Sequence, residues 1–191
     1  MELERYSEHL IGKVSKGDQK ALNELFGLWY ERVYNTAWKY FGEEETAMDM
    51  CQQTFIAIHK KISTLQDASK FKFWLYRTVI NHCHMESRKR KSRANLKEKI
   101  TQFRLTARQE RPDEIYHRNE RSKMVLDALQ KIPEEQRTVI IMKEYEELTF
   151  REIAEMLGIS EGTAKSRLYY GLKNLRKVLL KDNITKEYNY E

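Results

Sequence analysis

The sequence predicts an all-α protein with two small helical domains joined by a flexible linker, on three observations. The 191 residues include only seven glycines and two prolines, too few for the turns between successive strands. Apolar residues recur at steps of three and four, the spacing of a buried helical stripe. Hydrophobic residues make up 40% of the chain, so it can bury a core and is not disordered throughout.

The N-terminal module, residues 1–93, contains two predicted helices before its loop. The first extends from Asp18 to a break at Phe41 and Gly42, and the second follows that break. The buried stripe of the first helix contains Leu22, Leu25, Phe26, Trp29 and Val33, and that of the second contains Met48, Cys51, Phe55, Ile58 and Ile62. Residues 63–70, STLQDASK, contain turn formers and predict a loop.

A third helix is predicted from FKFWLYRTVINHCHMESRKRKSR, residues 71–93. At 100° per residue, its inward face contains Phe71, Trp74, Leu75, Thr78, Val79 and His82. A separate polar stripe, at steps of four, three and four, contains Arg77, Asn81, His84 and Arg88. An amide and an imidazole hydrogen-bond bases and arginines contact phosphates, so this stripe suits a nucleic-acid strand. Ordinary polarity on the solvent side of a helix is the alternative explanation.

The basic block, residues 88–111, contains ten Lys and Arg residues against two Glu, a net charge of +8 in a chain whose total is +6. Charge concentrated at one place indicates a polyanion held there, which favours nucleic acid as a partner. A merely soluble linker is the alternative. From residue 94 to residue 119 the apolar periodicity weakens and Pro112 interrupts it, so we assign residues 94–119 to the linker.

The C-terminal module, residues 120–181, carries the strongest local signal in TFREIAEMLGISEGTAKSRLYYGLKNLRKVL. Thr149 and Glu152 form a capping-box pattern at a helix start. Gly158 can adopt the left-handed backbone that ends this helix, and Ser160 can cap the next one. A short helix, a tight turn and a longer helix are together a helix-turn-helix in outline.

The second helix of this pair has the features of a DNA recognition helix. Its first two turns are polar and contain Glu161, Thr163, Lys165, Ser166 and Arg167. Such side chains, together with Ser160, reach base edges and phosphates in the major groove. An ordinary helical hairpin with a solvated face is the alternative. Residues 182–191 are predicted to form a tail.

Several classes of protein are excluded by what the sequence lacks. No apolar run approaches the roughly 18 residues of a membrane span, and acids interrupt MELERYSEHL, so we expect a cytoplasmic protein without membrane insertion.

Cys51 and Cys83 are expected to be reduced and buried. His82 and His84 point about 200° apart on a helix, so we expect no metal. No carboxylate cluster, metal-ligand set or phosphate-binding loop supports a nucleic-acid-processing enzyme, and no cofactor is expected.

Residues 10–180 resemble the extracytoplasmic-function (ECF) group of sigma-70 family sigma factors, the initiation subunits of bacterial RNA polymerase. The segments GDQKALNELFGLWYERVY, DMCQQTFIAIHKKI and FWLYRTVINHCHMESRKRK resemble the family's region 2. The segment ALQKIPEEQRTVIIMKEYEELTFREIAEMLGISEGTAKSRLYYGLKNLRK is similar to region 4. The resemblance implies a factor without catalytic chemistry that binds core RNA polymerase and directs it to promoter DNA. A stand-alone helix-turn-helix transcriptional regulator is the alternative function.

The resemblance also implies roles for particular residues. Asp49, Gln52 and Gln53 match the element that docks on the clamp helices of the polymerase's largest subunit, and their spacing places them on one helical face distinct from the buried row. Ordinary surface polarity is the alternative, which the residues without the resemblance would favour. The loop from Ser63 to Lys70 and the polar stripe match the surface that captures bases flipped from the −10 element. The helix beginning after Ser160 matches the part that reads the −35 element as duplex DNA.

Further expectations follow from the resemblance. Members of the family are usually held inactive by an anti-sigma factor, so a partner of this kind is implied, with its identity left open. Many relatives carry an acidic residue where this chain has Met85, which leaves open the bases that are read.

The two promoter elements lie about 25 base pairs, or roughly 85 Å, apart. The linker of 26 residues spans at most about 90 Å when extended and can bridge them.

Overall fold

The computed structural model describes the backbone of residues 2–101 and 120–188, and the side chains of residues 2–94 and 122–181. Eight α-helices and no strand occur in these ranges, which confirms the all-α prediction. The helices are α1 (Glu2–Val14), α2 (Gln19–Phe41), α3 (Glu44–Lys61), α4 (Phe71–Thr101), α5 (Glu120–Gln130), α6 (Glu134–Ile140), α7 (Phe150–Leu157) and α8 (Glu161–Tyr188). Most of the predicted linker, residues 102–119, and residues 189–191 of the predicted tail lie outside the described residues. None of the described helices is both long enough and apolar enough to cross a membrane.

Helices α1 and α2 pack together around the side chain of Trp29. Asp18 caps α2, since its carboxylate accepts hydrogen bonds from the amides of Lys20 (2.9 Å) and Ala21 (3.1 Å). Helix α1, which the apolar periodicity did not reveal, packs on α2, where Trp29 Nε1 donates to Ser7 Oγ at 2.9 Å. The Trp29 side chain is 1% exposed, so this bond satisfies its one donor within the core.

The predicted buried row of α3 is confirmed except at its first residue. The confirmed members, all 9% exposed or less, are Cys51, Phe55, Ile58 and Ile62. Met48 is 50% exposed, and Met50 lies in the core instead. Met48 stands at the edge of the buried arc, where an open groove separates α2 from α3. The prediction for Met48 is therefore wrong, and its side chain belongs to the surface.

Helix α4 turns a somewhat different face to the core from the one predicted. The predicted face is buried at Phe71, Leu75 and Val79. It is only half-buried at Trp74, Thr78 and His82. The core takes in addition Tyr76, Ile80 and Cys83. The buried arc is rotated because Tyr76 packs on Trp29 of the N-terminal module, with 6.2 Å between the ring centroids, and because α7 of the C-terminal module also packs against α4. Helix α4 also continues to Thr101, so residues 94–101 of the predicted linker are helical.

The predicted helix-turn-helix is present in α7 and α8. Thr149 and Glu152 form a complete capping box, in which each side chain accepts a hydrogen bond from the backbone amide of the other residue. Gly158, at φ 65°, ends α7 in the left-handed region that glycine adopts without strain. Ser160 Oγ then accepts a hydrogen bond from the Thr163 amide at 3.0 Å and caps α8.

Within the described residues the two modules pack on each other and share one hydrophobic core. The C-terminal module contributes to it Val139, Ile141, Met142, Leu148, Ile153, Met156 and Ala164. A π-helical turn at Ile141–Tyr145, followed by Glu147 at φ 57°, directs Glu146 into the N-terminal module. A second, smaller cluster around Leu129, Ile132 and Ile140 holds α5, α6 and α8 together.

Candidate nucleic-acid and polymerase interfaces

An open cleft of about 380 Å³ lies between the end of α3 and the start of α4. Two short 3-10 turns, Ile62–Thr64 and Ala68–Lys70, form most of the predicted loop. Asp67 caps the second turn, and hydrogen bonds from the hydroxyl and amide of Ser69 lower the pKa of its carboxyl group. The cleft is lined by Lys61, Thr64, Leu65, Gln66, Asp67, Lys70 and Trp74. An aromatic ring beside two ammonium groups suits an unpaired base and its phosphate.

The cleft contains one predicted −10 residue and one that the sequence assigned to the core. Lys70 lines it, whereas Ser63 is exposed outside the lining. Trp74, predicted to be a core residue, is half-buried and lines the cleft. The signal that identifies Trp74 is its position, because this large aromatic residue lies in the first turn of α4, four positions after the lysine that ends the loop.

The polar stripe of α4 is only partly open to solvent. The members that are exposed, as predicted, are Arg77, Asn81 and Arg88. His84 is not exposed, since its Nε2 lies 3.1 Å from Thr138 Oγ1 and its ring packs 5.9 Å from the ring of Tyr40. Burial lowers the pKa of His84 and favours the neutral imidazole. The helical wheel does not reveal this contact because Thr138 belongs to the other module.

The start of the basic block contacts acidic residues of the same chain. Lys91 Nζ lies 2.5 Å from Glu134 Oε2, which also accepts a hydrogen bond from Ser87 at 2.7 Å. Arg90 pairs with Glu43 at 2.9 Å. Burial by itself would raise the pKa of Glu134, but hydrogen bonds from Lys91 and Ser87 outweigh burial and lower that pKa to about 2. Part of the charge that predicts nucleic-acid binding is therefore neutralised within the molecule.

Asp49, Gln52 and Gln53 lie together on the exposed face of α3, where Gln53 Nε2 donates to Asp49 Oδ2 at 3.1 Å. Beside them an apolar groove of about 640 Å³ runs between α2 and α3. The groove is lined by Phe26, Gly27, Tyr30, Met48, Gln52, Phe55, Ile56 and His59. Of the three polar residues, Gln52 itself lines the groove, so the polar face of α3 adjoins an apolar surface.

Three large apolar side chains of this groove are exposed to an unusual degree. Tyr30, Met48 and Ile56 are each 47–50% exposed. Contiguous apolar surface on a folded protein marks a binding site for a partner. The sequence did not identify Tyr30 and Ile56 as surface residues of interest, because they lie outside the buried stripes and nothing in their spacing distinguishes them.

The predicted −35 residues occupy the start of α8. Glu161, Lys165 and Ser166 are exposed. Thr163 is half-buried, and its Oγ1 is hydrogen-bonded to Ser160 Oγ at 2.9 Å. Arg167 is only 25% exposed, because one of its guanidinium nitrogens, Nη2, lies 3.0 Å from Glu135 Oε2. In this conformation the exposed members of the set can face a major groove of DNA. Arg167 instead forms an ion pair with Glu135 of α6.

Neither metal nor thiol chemistry is suggested by the side chains of the described residues. In the ranges 2–94 and 122–181, no group of three or more His, Cys, Asp and Glu residues is arranged to hold a metal ion. Cys51 and Cys83 are free and buried, as expected. Burial raises the pKa of both thiols, that of Cys51 to about 11, so they stay protonated and unreactive near neutral pH.

Known proteins match both modules. The family models "Sigma-70 region 2" and "Sigma-70, region 4" match residues 25–93 and 122–175. The ECF RNA polymerase sigma factor SigW of Bacillus subtilis is 31% identical over 176 residues, which cover 88% of this chain and 94% of SigW.

Two solved structures share the fold. The sigma factor RpoE, in complex with the anti-sigma factor NepR from Bartonella quintana, has a TM-score of 0.69 at 19% identity and covers 84% of this chain and 97% of its own. CnrH, in complex with the cytosolic domain of CnrY, has a TM-score of 0.68 at 20% identity and covers 93% of this chain and 99% of its own.

The matched regions coincide with the surfaces described above. The region 2 match contains the groove beside α3, the cleft and the polar stripe, and the region 4 match contains the helix-turn-helix. Both matches occur in the family's order along one chain, and SigW is similar over nearly its whole length. The chain therefore belongs to the ECF group of the sigma-70 family, the RNA polymerase sigma factors that direct the polymerase to promoters.

Proposed function

We propose that three surfaces divide the work of a sigma factor in this chain. Helix α3 with its groove binds core RNA polymerase, the cleft with the polar stripe binds the melted −10 element, and α8 binds the −35 duplex. The observation that carries the proposal is the cleft, because an aromatic ring, two lysines and the stripe of α4 are joined on one rigid framework. The functional units are residues 1–93 and 120–181 with the linker at 94–119, and bond formation belongs to the polymerase.

The cleft is suited to a base that has left the duplex. Flipping a base costs a few kcal/mol, and stacking on an aromatic side chain returns about 1–3 kcal/mol per base. Trp74 supplies the ring, and Lys61 and Lys70 supply charges for the adjacent phosphates. Arg77 and Asn81 continue along the exposed side of α4, so the neighbouring nucleotides also meet hydrogen-bond donors. These features favour one separated strand over duplex DNA.

Helix α3 offers the polymerase a surface of mixed character. Asp49, Gln52 and Gln53 supply hydrogen bonds at the rim, while Tyr30 and Met48 supply apolar area. Aromatic residues and methionine are enriched at the centre of protein interfaces, and polar residues at the rim. This arrangement supports α3 as the main docking surface for the core enzyme.

The recognition helix reads duplex DNA from its first two turns. Lys165 and Ser166 are exposed there and can contact phosphates and base edges, and Glu161 can accept a hydrogen bond from the amino group of cytosine. Arg167 can make a bidentate contact with guanine once it leaves Glu135. The two modules therefore recognise different forms of DNA.

An anti-sigma factor is a further proposed partner. One of the two structures that share this fold is a complex of a sigma factor with the anti-sigma factor NepR, which supports a partner of the same class here without identifying it. The proposed role requires core polymerase and chromosomal DNA, and it places the protein in the cytoplasm. Because the apolar groove beside α3 is open in the free chain, it is available to such a partner.

Run-off transcription with core RNA polymerase tests the proposed function. Genomic fragments are transcribed with and without the protein, and the start sites are mapped. We expect promoter-specific transcripts only when the protein is added. If the protein instead bound duplex operators tightly by itself and gave no transcript with the core enzyme, it would be a stand-alone helix-turn-helix regulator.

A further inference from the structure

Helix α1 packs against the elements that form the cleft of the proposed −10 site. It contacts both 3-10 turns, Ile62–Thr64 and Ala68–Lys70, and also α2 and α4. Such short turns have few hydrogen bonds of their own, so their conformation depends on what packs against them. Helix α1 lies outside the match to sigma-70 region 2, which begins at residue 25. The role of α1 must therefore be inferred from its contacts.

A row of aromatic rings connects α1 to the cleft, and we call Ser7, Trp29, Phe71 and Trp74 the aromatic row. Ser7 of α1 accepts a hydrogen bond from Trp29 Nε1 at 2.9 Å. The ring of Trp29 packs edge-on against Phe71 with 5.9 Å between centroids, and Phe71 packs edge-on against Trp74 at 6.3 Å. Both separations lie in the range of attractive aromatic pairs, about 4.5–7 Å. The first three members are at most 2% exposed, so within the row only Trp74 lines the cleft.

The hydroxyl group of Ser7 fixes the first ring of the aromatic row. Ser7 donates its own proton to the carbonyl of Leu3 at 2.7 Å, so its oxygen is oriented to accept from Trp29. The indole N–H is the only hydrogen-bonding group of the Trp29 side chain. Because this side chain is buried, the ring cannot turn away from Ser7 without leaving a buried donor unpaired. One hydrogen bond from α1 thus determines how Trp29 meets Phe71.

Helix α1 also supports the loop and the start of α4 directly. Leu10 is buried in the hydrophobic core against which Leu65 and Ala68 of the loop pack. Leu65 also lines the cleft. Lys72, in the first turn of α4, forms an ion pair with Glu4 at 2.9 Å. The two parts of the chain that form the cleft are therefore both held by α1.

We propose that α1 is a positioning element of the −10 cleft, in which Ser7 orients the ring of Trp74 through Trp29 and Phe71. This inference rests on the proposed function of the cleft. A stacked base contacts the face of a ring, so its binding depends on the tilt of that ring as well as on its presence. Helix α1 contributes no residue to the lining of the cleft. Its effect on a bound strand therefore passes through Trp74 and the loop.

Binding of single-stranded DNA to the holoenzyme, the protein bound to core RNA polymerase, tests this role. The probe is the non-template −10 strand of a promoter mapped by run-off transcription, with 2-aminopurine replacing each base in turn. Native holoenzyme should quench the fluorescence of the probe at the position that stacks on Trp74, and Trp74→Ala should abolish this quenching. Ser7→Ala should roughly halve the quenching at saturating holoenzyme and lower the affinity for the strand about fivefold.

Two controls show that the loss is specific to the strand. The affinity of Ser7→Ala for core polymerase should change less than about twofold in fluorescence polarisation. Ser15→Ala is the matched variant, because the Ser15 hydroxyl bonds only the carbonyl of Ile11, at 3.0 Å, and lies outside the aromatic row. Its holoenzyme should quench the probe and bind the strand as the native holoenzyme does. Equal losses in Ser7→Ala and Ser15→Ala would contradict a specific role of Ser7.

A double-mutant cycle decides whether Ser7 acts through Trp74. In the Trp74→Ala background, Ser7→Ala should change the affinity for the strand less than about twofold, because the ring that it orients is absent. A general loss of stability would lower the affinity equally in both backgrounds, and that result would overturn the proposal. If Ser7→Ala lacks native helicity by circular dichroism, Phe71→Leu takes its place, since it keeps an apolar side chain and removes the middle ring. It should lose about fivefold in affinity only when Trp74 is present.

The same assays separate failure of the inference from failure of the function. Native quenching in both the Ser7→Ala and the Phe71→Leu holoenzyme would overturn the positioning role and leave the cleft as proposed. Equal quenching by the native and the Trp74→Ala holoenzyme would overturn the −10 role of the cleft, and the positioning role with it. No promoter-specific transcript from the native holoenzyme would overturn the proposed function as a whole.

Discussion

Asn81 is an exposed amide on a helix whose other side is anchored in the core. Its position, one helical turn after Arg77, favours hydrogen bonds to bases of a separated strand over contacts with the polymerase. Asn81→Ala should therefore lower run-off transcription from duplex promoters about tenfold, while the affinity for core polymerase in fluorescence polarisation changes less than twofold. Asn23→Ala, at an exposed position of α2, is the control. Equal losses of transcription and of polymerase affinity would contradict the assignment.

Glu134 makes the free energy of unfolding depend on pH in the acidic range. Its pKa in the folded protein is about 2, below the ordinary value of 4.5, so the carboxylate stabilises the fold above pH 4.5 and this stabilisation is lost as the pH falls towards 2. Because Lys91 is 66% exposed and water screens the pair, we expect a contribution of about 1 kcal/mol at pH 7.

Urea titrations of the native protein and Glu134→Gln measure this contribution. The substitution should lower the free energy of unfolding by about 1 kcal/mol at pH 7 and by clearly less near pH 2, where half of the native carboxyl groups have lost their charge. A difference of the same size at both pH values would show that the charge of Glu134 is not the cause.

The residues that the sequence identified correctly are those whose environment lies within one helix or one turn. The capping box of Thr149 and Glu152 is an example, since both partners lie within four positions. His84 and Arg167 were placed on the correct elements, but their partners Thr138 and Glu135 lie far away in the chain. Helical periodicity predicts which side of a helix avoids its own module, and it contains no information about what covers that side.

At the scale of the element, α6 and α8 pack tightly against each other at Gly171. A Cβ atom there would lie 3.0 Å from Cδ1 of Ile140 and 3.1 Å from Cβ of Gln136. Overpacking of this kind costs about 1–3 kcal/mol, which outweighs the gain of up to about 1 kcal/mol that alanine brings to a helix. Gly171→Ala should therefore lower the free energy of unfolding by about 1 kcal/mol in urea titrations. Gly27→Ala, where no atom lies within 4 Å, should raise it instead.

The groove between α2 and α3 gives Met48 a testable role. A charge placed on its half-exposed side chain would not disturb the core, but it would oppose burial of the groove in an interface. Met48→Lys should weaken binding to core RNA polymerase about tenfold in fluorescence polarisation, with an unchanged midpoint of thermal unfolding. Asn23→Lys adds the same charge outside the groove and should bind normally. Normal binding by Met48→Lys would exclude the groove from the polymerase interface.

Elements were predicted better than their packing. The sequence placed the third helix, its basic end and the helix-turn-helix, because each depends on local spacing and turn residues. It did not reveal α1, whose sequence is mostly polar, or the rotation of the buried arc of α4 towards Tyr76 and Ile80. That rotation depends on Trp29 and on α7, both of which contact α4 from distant parts of the chain.

At the scale of the whole molecule, the shared core predicts that the two modules unfold together. All three tryptophans, Trp29, Trp38 and Trp74, lie in the N-terminal module, so their fluorescence reports on that module alone, whereas circular dichroism reports on both. The two signals should give coincident transitions in urea for the native protein. In Thr36→Val/Tyr76→Phe, which lacks the two hydrogen bonds that the N-terminal module donates to Glu146, the transitions should separate. Separate transitions in the native protein would show that the modules are not energetically coupled.

The sequence established two helical modules and their order, but not their docking. Thr36 and Glu146 are 110 positions apart, and neither belongs to a periodic pattern that points to the other. A buried acid whose donors come from another module has no local signature. The compact arrangement is therefore visible only in the structure.

The continuation of α4 through residues 94–101 limits how far apart the two modules can lie. Eight helical residues rise only about 12 Å, and the 18 residues from 102 to 119 span at most about 60 Å even when fully extended. The connection between the modules is then about 75 Å long at most, shorter than the roughly 85 Å between promoter elements, and the widths of the modules must supply the difference. The end of α4 thus sets an upper limit on the promoter spacing that one molecule tolerates, independently of the bases that either module reads.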